Sequence, residues 1–155
     1  MVHSLIEIYY FLQKLFNYEE ELFYKIKSLI CYKFKNNEEL KKAVNLYLFN
    51  KTHRKAIKYY NDISLWDVSK ITDMSYLFYK HYDPKNDNDK LTYLEFEGGG
   101  TKYYQIYFNE NINNWDVSNV INMEGMFFGC VYFNQPLDKW DVSNVKNTSN
   151  MFKFC

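Results

Sequence analysis

The stretch Trp115-Asp116-Val117-Ser118-Asn119-Val120-Ile121-Asn122-Met123-Glu124-Gly125-Met126-Phe127 decides how this chain is read, because it recurs. Trp140-Asp141-Val142-Ser143-Asn144-Val145-Lys146-Asn147-Thr148-Ser149-Asn150-Met151-Phe152 repeats it 25 positions later. Trp66-Asp67-Val68-Ser69-Lys70-Ile71-Thr72-Asp73-Met74-Ser75-Tyr76-Leu77-Phe78 precedes it by 49. Agreement runs beyond the motif: Phe108-Asn109 stands before Trp115 as Phe133-Asn134 stands before Trp140, and Cys130 and Cys155 share one register. A fixed period of this size marks a repeat architecture. Each unit is too small to bury its own apolar side chains and does so only against its neighbours.

Apolar residues inside each unit obey a rule. Ile63, Trp66 and Val68 fall at i, i+3 and i+5, as do Ile112, Trp115, Val117 and Leu137, Trp140, Val142. This is the spacing of leucine-rich repeats, in which the last two positions lie on one face of a short strand. Ile71, Met74, Leu77 and Phe78 follow, with equivalents Val120, Met123, Met126, Phe127 and Val145, Thr148, Met151, Phe152, and suit a tight 3₁₀-like return. Ser69, Ser118 and Ser143, with Asn119 and Asn144, occupy equivalent turns, where their side chains are expected to satisfy backbone groups in ladders.

These motifs resemble the BspA-like leucine-rich repeat surface proteins, whose repeats read Trp-Asp-Val-Ser-Asn-Val-x-Asn-Met-x-x-Met-Phe and then Phe-Asn-Gln-Pro-Leu. The match here is Trp115 to Phe127 and Phe133-Asn134-Gln135-Pro136-Leu137, with Glu38 to Ser64 similar to the helical flank that precedes such repeats. Thr148 departs from the pattern by replacing a Met. The resemblance implies a β-solenoid with a surface or adhesion-type binding role, and no catalytic residues.

Helical spacing precedes the repeats. Leu5, Ile8, Leu12 and Leu15, then Phe23, Ile26 and Ile30, read as helices over 4–16 and 19–33. Leu40, Ala43, Val44, Tyr47 and Leu48 give a third over 37–49, and Ala56, Ile57 and Tyr60 a fourth over 51–60. Lys51, Arg54, Lys55 and Lys58 share one side of that fourth helix and read as a solvated face. Between the first and second repeats lie 24 extra residues. There Leu91 to Glu97 and Thr101 to Tyr107 flank Gly98-Gly99-Gly100, a hairpin signal, since glycines reach the left-handed backbone that tight turns need. The expected fold is therefore α+β: a short leucine-rich-repeat-like β-solenoid of about three coils, capped by N-terminal helices, with an inserted β-hairpin. The cap spans 1–61 and the repeats 62–155, divided as 62–78, 107–131 and 132–155, with the insertion over 79–106.

Composition narrows the function. Hydrophobic residues make up 47% and charged residues 25%, a foldable globular balance. A formal net charge of +0 provides no field to gather nucleic acid. Cys31, Cys130 and Cys155 lack the paired spacing of a zinc site, and Asp83 to Lys90 lacks the ligand order of a calcium loop. His3, His53 and His81 are scattered, so no triad or paired carboxylates emerge, and neither catalysis nor a cofactor is expected. No apolar run reaches the length of a bilayer span. Met1 to Ile8 lacks a basic n-region, which points to the cytoplasm, although the resembled family is often found at the cell surface.

The reading is a non-catalytic repeat-protein binding module for an unidentified protein or glycan. Its candidate contacts are the insertion aromatics Tyr93, Phe96, Tyr103, Tyr104 and Tyr107. Two alternatives stay open. One is a structural or truncated repeat fragment whose last coil, lacking a cap, self-associates. The other is an F-box-like adaptor, from the similarity of Leu5-Ile6-Glu7-Ile8 and Tyr18-Glu19-Glu20 to that helical pattern.

Overall fold

The computed structural model describes residues 7, 29–48, 53–79, 93–94 and 103–155. The expected helix over 4–16 and most of the one over 19–33 fall outside them, and with them the adaptor pattern. Residues 31–35 are extended, where the sequence reading carried a helix to 33. Helix α1 runs Asn37–Leu48 and helix α2 runs His53–Tyr60, with a 3₁₀ turn at Ile63–Leu65.

Capping chemistry sets the start of α1. Asn36 Oδ1 accepts the Glu39 N–H at 2.9 Å, which satisfies one of the donors a helix start leaves open. Glu39 in turn accepts from the Lys35 N–H at 2.8 Å and from the Tyr32 hydroxyl at 2.6 Å, pinning the extended segment to the helix. The Tyr32 hydroxyl, more than the Lys35 N–H, holds the Glu39 carboxyl below its ordinary range, and the same bond pushes the Tyr32 phenol up to about 12. A depressed carboxyl contributes stability that is complete above its unfolded value of 4.5 and is lost as pH falls through the lower folded value. Glu39→Gln is therefore expected to melt below the wild type at neutral pH, with the gap closing as the pH is taken below 4.5. A gap that does not change with pH would mean that the carboxylate contributes nothing.

Leu40, Ala43, Val44 and Tyr47 of α1 and Ala56 of α2 are buried in one cluster with Ile63 and Trp66 of the first repeat. Ile57, expected on the same inner face, is instead exposed. Trp66 lies among Phe34 at 4.9 Å, Tyr47 at 5.9 Å and Tyr60 at 6.0 Å between ring centroids, and on its other side stacks on Trp115 at 6.2 Å and 10°. The helices thus cover the first repeat with the kind of surface that the second repeat presents on its far side. Asn61 completes the substitution. It ends α2 in the left-handed region, at φ 62°, and its carbonyl accepts the Trp66 indole N–H at 3.2 Å. In the later repeats that acceptor is the preceding unit's own backbone: Trp115 Nε1 donates to the Ile63 carbonyl at 2.8 Å and Trp140 Nε1 to that of Ile112 at 3.1 Å.

The repeats stack as expected, but they do not form the expected α+β, leucine-rich-repeat-like β-solenoid. No strand runs through any repeat among the described residues. The links between them are isolated parallel bridges, Asp73↔Asn122 and Asn122↔Asn147, with Lys33↔Asp67 joining the N-terminal segment. The backbone of each unit is spent on turns. The Trp66, Ile71 and Leu77 N–H groups donate to the carbonyls three residues before them, and so do Trp115, Val120, Met126 and Trp140, Val145, Met151. Around the Trp-Asp-Val stretch, where a strand was expected, these turns take up the N–H groups of the Trp and of the Ile or Val five residues on, and no strand forms there. At the insertion, two-residue strands β1, Tyr93–Leu94, and β2, Tyr103–Tyr104, pair antiparallel, too short to add a sheet layer.

Between units, the backbone hydrogen bonds lie on the return segment, opposite to expectation. Met74, Tyr76 and Phe78 N–H donate to the Asn122, Glu124 and Met126 carbonyls. Met123, Gly125, Phe127 and Gly129 donate likewise to Asn147, Ser149, Met151 and Lys153. The interior holds fully buried Val68, Ile71, Met74, Phe78, Ile112, Val120, Met123 and Phe127. Phe78, Phe127 and Phe152 form a column, each ring 5.3 Å from the next and within 9° of parallel.

Candidate interaction surface

The repeated polar residues are occupied by the fold. Asp67 and Asp116 each accept the N–H and hydroxyl of the Ser two residues on, and Asp141 accepts the Ser143 N–H. These bonds, that from the Ser143 N–H first, hold the Asp141 carboxyl below its usual range, so it carries no proton to donate near neutrality. Asp73, Asn122 and Asn147 close a second set of such turns onto Ser75, Glu124 and Ser149. The ladder between units is carried by Asn: Asn119 donates to the Ser69 carbonyl at 2.9 Å and Asn144 to that of Ser118 at 2.7 Å. Ser serves its own turn. Repeated carboxylates and hydroxyls therefore bend and stack the chain, and none is placed as an acid–base pair.

Of the five aromatic contacts read from the insertion, Phe96 lies outside the described residues. Tyr93, Tyr103 and Tyr104 are placed by their backbone pairing in β1 and β2. Tyr107 is placed in full. It is exposed, donates from its hydroxyl to Gln105 Oε1 at 3.2 Å, and stacks on Tyr132 at 5.2 Å and 21°. Tyr132, 61% exposed, was not among the sequence candidates, although it lies one period beyond Tyr107. Beneath the pair the buried Phe108 stacks on Phe133 at 5.8 Å and 6°, so the two tyrosines are held by a close-packed interior. An outward aromatic pair on a rigid support offers large contact area at little entropic cost.

A second surface is the outer face of the third repeat. Val142 and Phe152 are each 51% exposed, where their equivalents Val68, Val117, Phe78 and Phe127 are at most 1%. Among the described residues no group of His, Cys, Asp and Glu is arranged to hold a metal ion, and no helix is long and apolar enough to cross a membrane. None of the three cysteines is in a disulfide. Cys130 is buried, and its thiol is pushed up by desolvation.

No curated protein and no solved structure matches the chain. One family does, over residues 11–93 and 101–155, and the break between the two matched stretches falls in the insertion around Gly98-Gly99-Gly100. Its description is "Mycoplasma protein of unknown function, DUF285".

Proposed function

We propose, from the premise that this chain belongs to the family of Mycoplasma proteins of unknown function DUF285, that it is a non-catalytic repeat module that binds a protein or a glycan. The observation that carries the reading is the exposed Tyr107–Tyr132 stack, a rigid aromatic pair repeated at the period of the chain and pointed away from the interior. The use of the Asp, Ser and Asn side chains in turns supports a module without acid–base chemistry. Likeness to BspA-like leucine-rich repeat surface proteins in the Trp-Asp-Val-Ser-Asn-Val motif supports an adhesion-type role.

The test compares the wild type with a Tyr107→Ala/Tyr132→Ala double variant on an array of glycans and on a panel of extracellular-matrix proteins. The expected result is at least one ligand retained by the wild type and held roughly tenfold or more weakly by the variant, about 1.4 kcal/mol, at an unchanged melting temperature. Equal binding by both proteins, or retention of nothing by the wild type, would remove the reading.

A further inference from the structure

Cys130 and Cys155 stand one period apart and close their return segments in the same way. The residue before each is in the left-handed region, Gly129 at φ 77° and Phe154 at φ 64°. Each cysteine N–H then donates three residues back, to the Phe127 carbonyl at 2.9 Å and to the Phe152 carbonyl at 3.2 Å. The two residues thus repeat one local geometry in neighbouring units. The backbones that carry them are tied in register, with the Phe127 N–H on the Met151 carbonyl and the Gly129 N–H on that of Lys153, each at 2.9 Å. Chains paired in this way lie about 4.7–4.9 Å apart, inside the Cα separation of about 4.4–6.8 Å that a disulfide spans.

The sulfur of Cys155 already reaches into the other unit. It donates to the Phe127 carbonyl at 3.0 Å, the same oxygen that accepts the Cys130 N–H. Two donors on one oxygen put the Cys155 sulfur beside the Cys130 backbone. The thiols also feel each other. Burial and then the neighbouring Cys155 push the Cys130 thiol up, and burial pushes up that of Cys155 against the pull of the Cys130 N–H. We propose that Cys130 and Cys155 form a modification site, a dithiol that a small-molecule disulfide oxidises to a cross-link between the second and third repeats. Cys130 is buried, so exchange begins at Cys155. The Cys155 thiolate attacks the S–S bond of the reagent, forming a mixed disulfide and releasing one thiol, which takes the first proton. The Cys130 sulfur then attacks that of Cys155. The Sγ–Sγ bond forms, the mixed disulfide breaks, and the second thiol leaves with the second proton. The cysteines lose two electrons and the reagent gains them. The cross-link closes one period of chain, which restricts the unfolded chain more than the folded one. Cys31 has no place in this register, because it belongs to the segment that meets the first repeat at Lys33↔Asp67.

The inference is independent of any ligand on the tyrosine pair. Its test equilibrates the full chain with mixtures of reduced and oxidised glutathione, in buffer and in concentrated urea, and reads the linkage by mass spectrometry of proteolytic peptides. Expected is a loss of two hydrogens with Cys130 joined to Cys155. The folded chain should form this link at least tenfold more favourably than the unfolded one, about 1.4 kcal/mol. The oxidised chain should melt about 5–10 °C above the reduced one. Cys155→Ser should lose both the link and the shift, while Cys31→Ser should keep both. The inference is overturned if no link forms, if glutathione stays on Cys155 as a mixed disulfide, or if the link runs through Cys31. Equal oxidation of the folded and unfolded chains, or an oxidised chain that melts no higher than the reduced one, would overturn it as well.

Discussion

Trp115→Ala is expected to cost about 3–5 kcal/mol, the largest loss of any single substitution in the repeats. The indole is 2% exposed and packs against Trp66 and Phe78 of the first repeat, each at 6.2 Å between ring centroids, with its N–H buried against the Ile63 carbonyl. Truncation removes the packing of two units at once. A domain of this size has about 5–15 kcal/mol in all, so the variant stands at the edge of unfolding. Trp115→Phe keeps most of the apolar contact and gives up the indole donor, for an expected loss of about 1–2 kcal/mol. Trp140→Ala should cost less than Trp115→Ala, because Trp140 is the less buried of the two, 9% exposed against 2%. Urea midpoints of the three variants would establish the order. Equal losses at Trp115 and Trp140 would mean that burial does not set the cost.

Gly125→Ala should cost about 2–4 kcal/mol despite adding a single carbon, the sum of a left-handed backbone penalty and an overpacking penalty. Gly125 has φ 56°, and a Cβ built there would stand 2.4 Å from Tyr76 Cε1. The ring lies across the glycine with its hydroxyl donating to Glu124 Oε1 at 3.0 Å, so moving it aside breaks that bond. The two penalties can be separated. In a Tyr76→Ala background the clash is gone, and Gly125→Ala should then cost only the backbone share, about 1–2 kcal/mol. A double-mutant cycle in urea with no coupling between the two positions would show that the ring does not rest on the glycine.

Positions that recur with the period were legible before any coordinates. Trp66, Trp115, Val68, Val117, Phe78 and Phe127 all enter the interior, and α1 and α2 lie within two residues of their expected bounds. What misled was spacing without turn chemistry. Apolar residues at i, i+3 and i+5 fit a strand, but Asp67-Val68-Ser69 and Asp73-Met74-Ser75 are side-chain-closed turns, and Asp or Asn two residues before Ser is the visible sign of them. Counting those pairs would have broken each proposed strand in place. The left-handed positions were less accessible. Tyr76, Gly125 and Asn150 share one register and φ between 51° and 57°, yet only the Gly and the Asn hint at it. Tyr132 lies outside the insertion, but the period carries Tyr107 directly onto it, so its place was legible in the sequence.

The inter-unit backbone hydrogen bonds are concentrated on one side, from residues 72–78 through 121–129 to 146–153. On the Trp-Asp-Val side, adjacent units are tied through side chains: the indole and Asn donors, and between the second and third repeats also Asn109, Asn113 and Asn114. The assembly is thus bound like a book, stitched along a spine and fastened by side chains at the fore-edge. Substitutions at the Trp and Asn fastenings would let the pages fan and change the curvature, while the spine keeps their order.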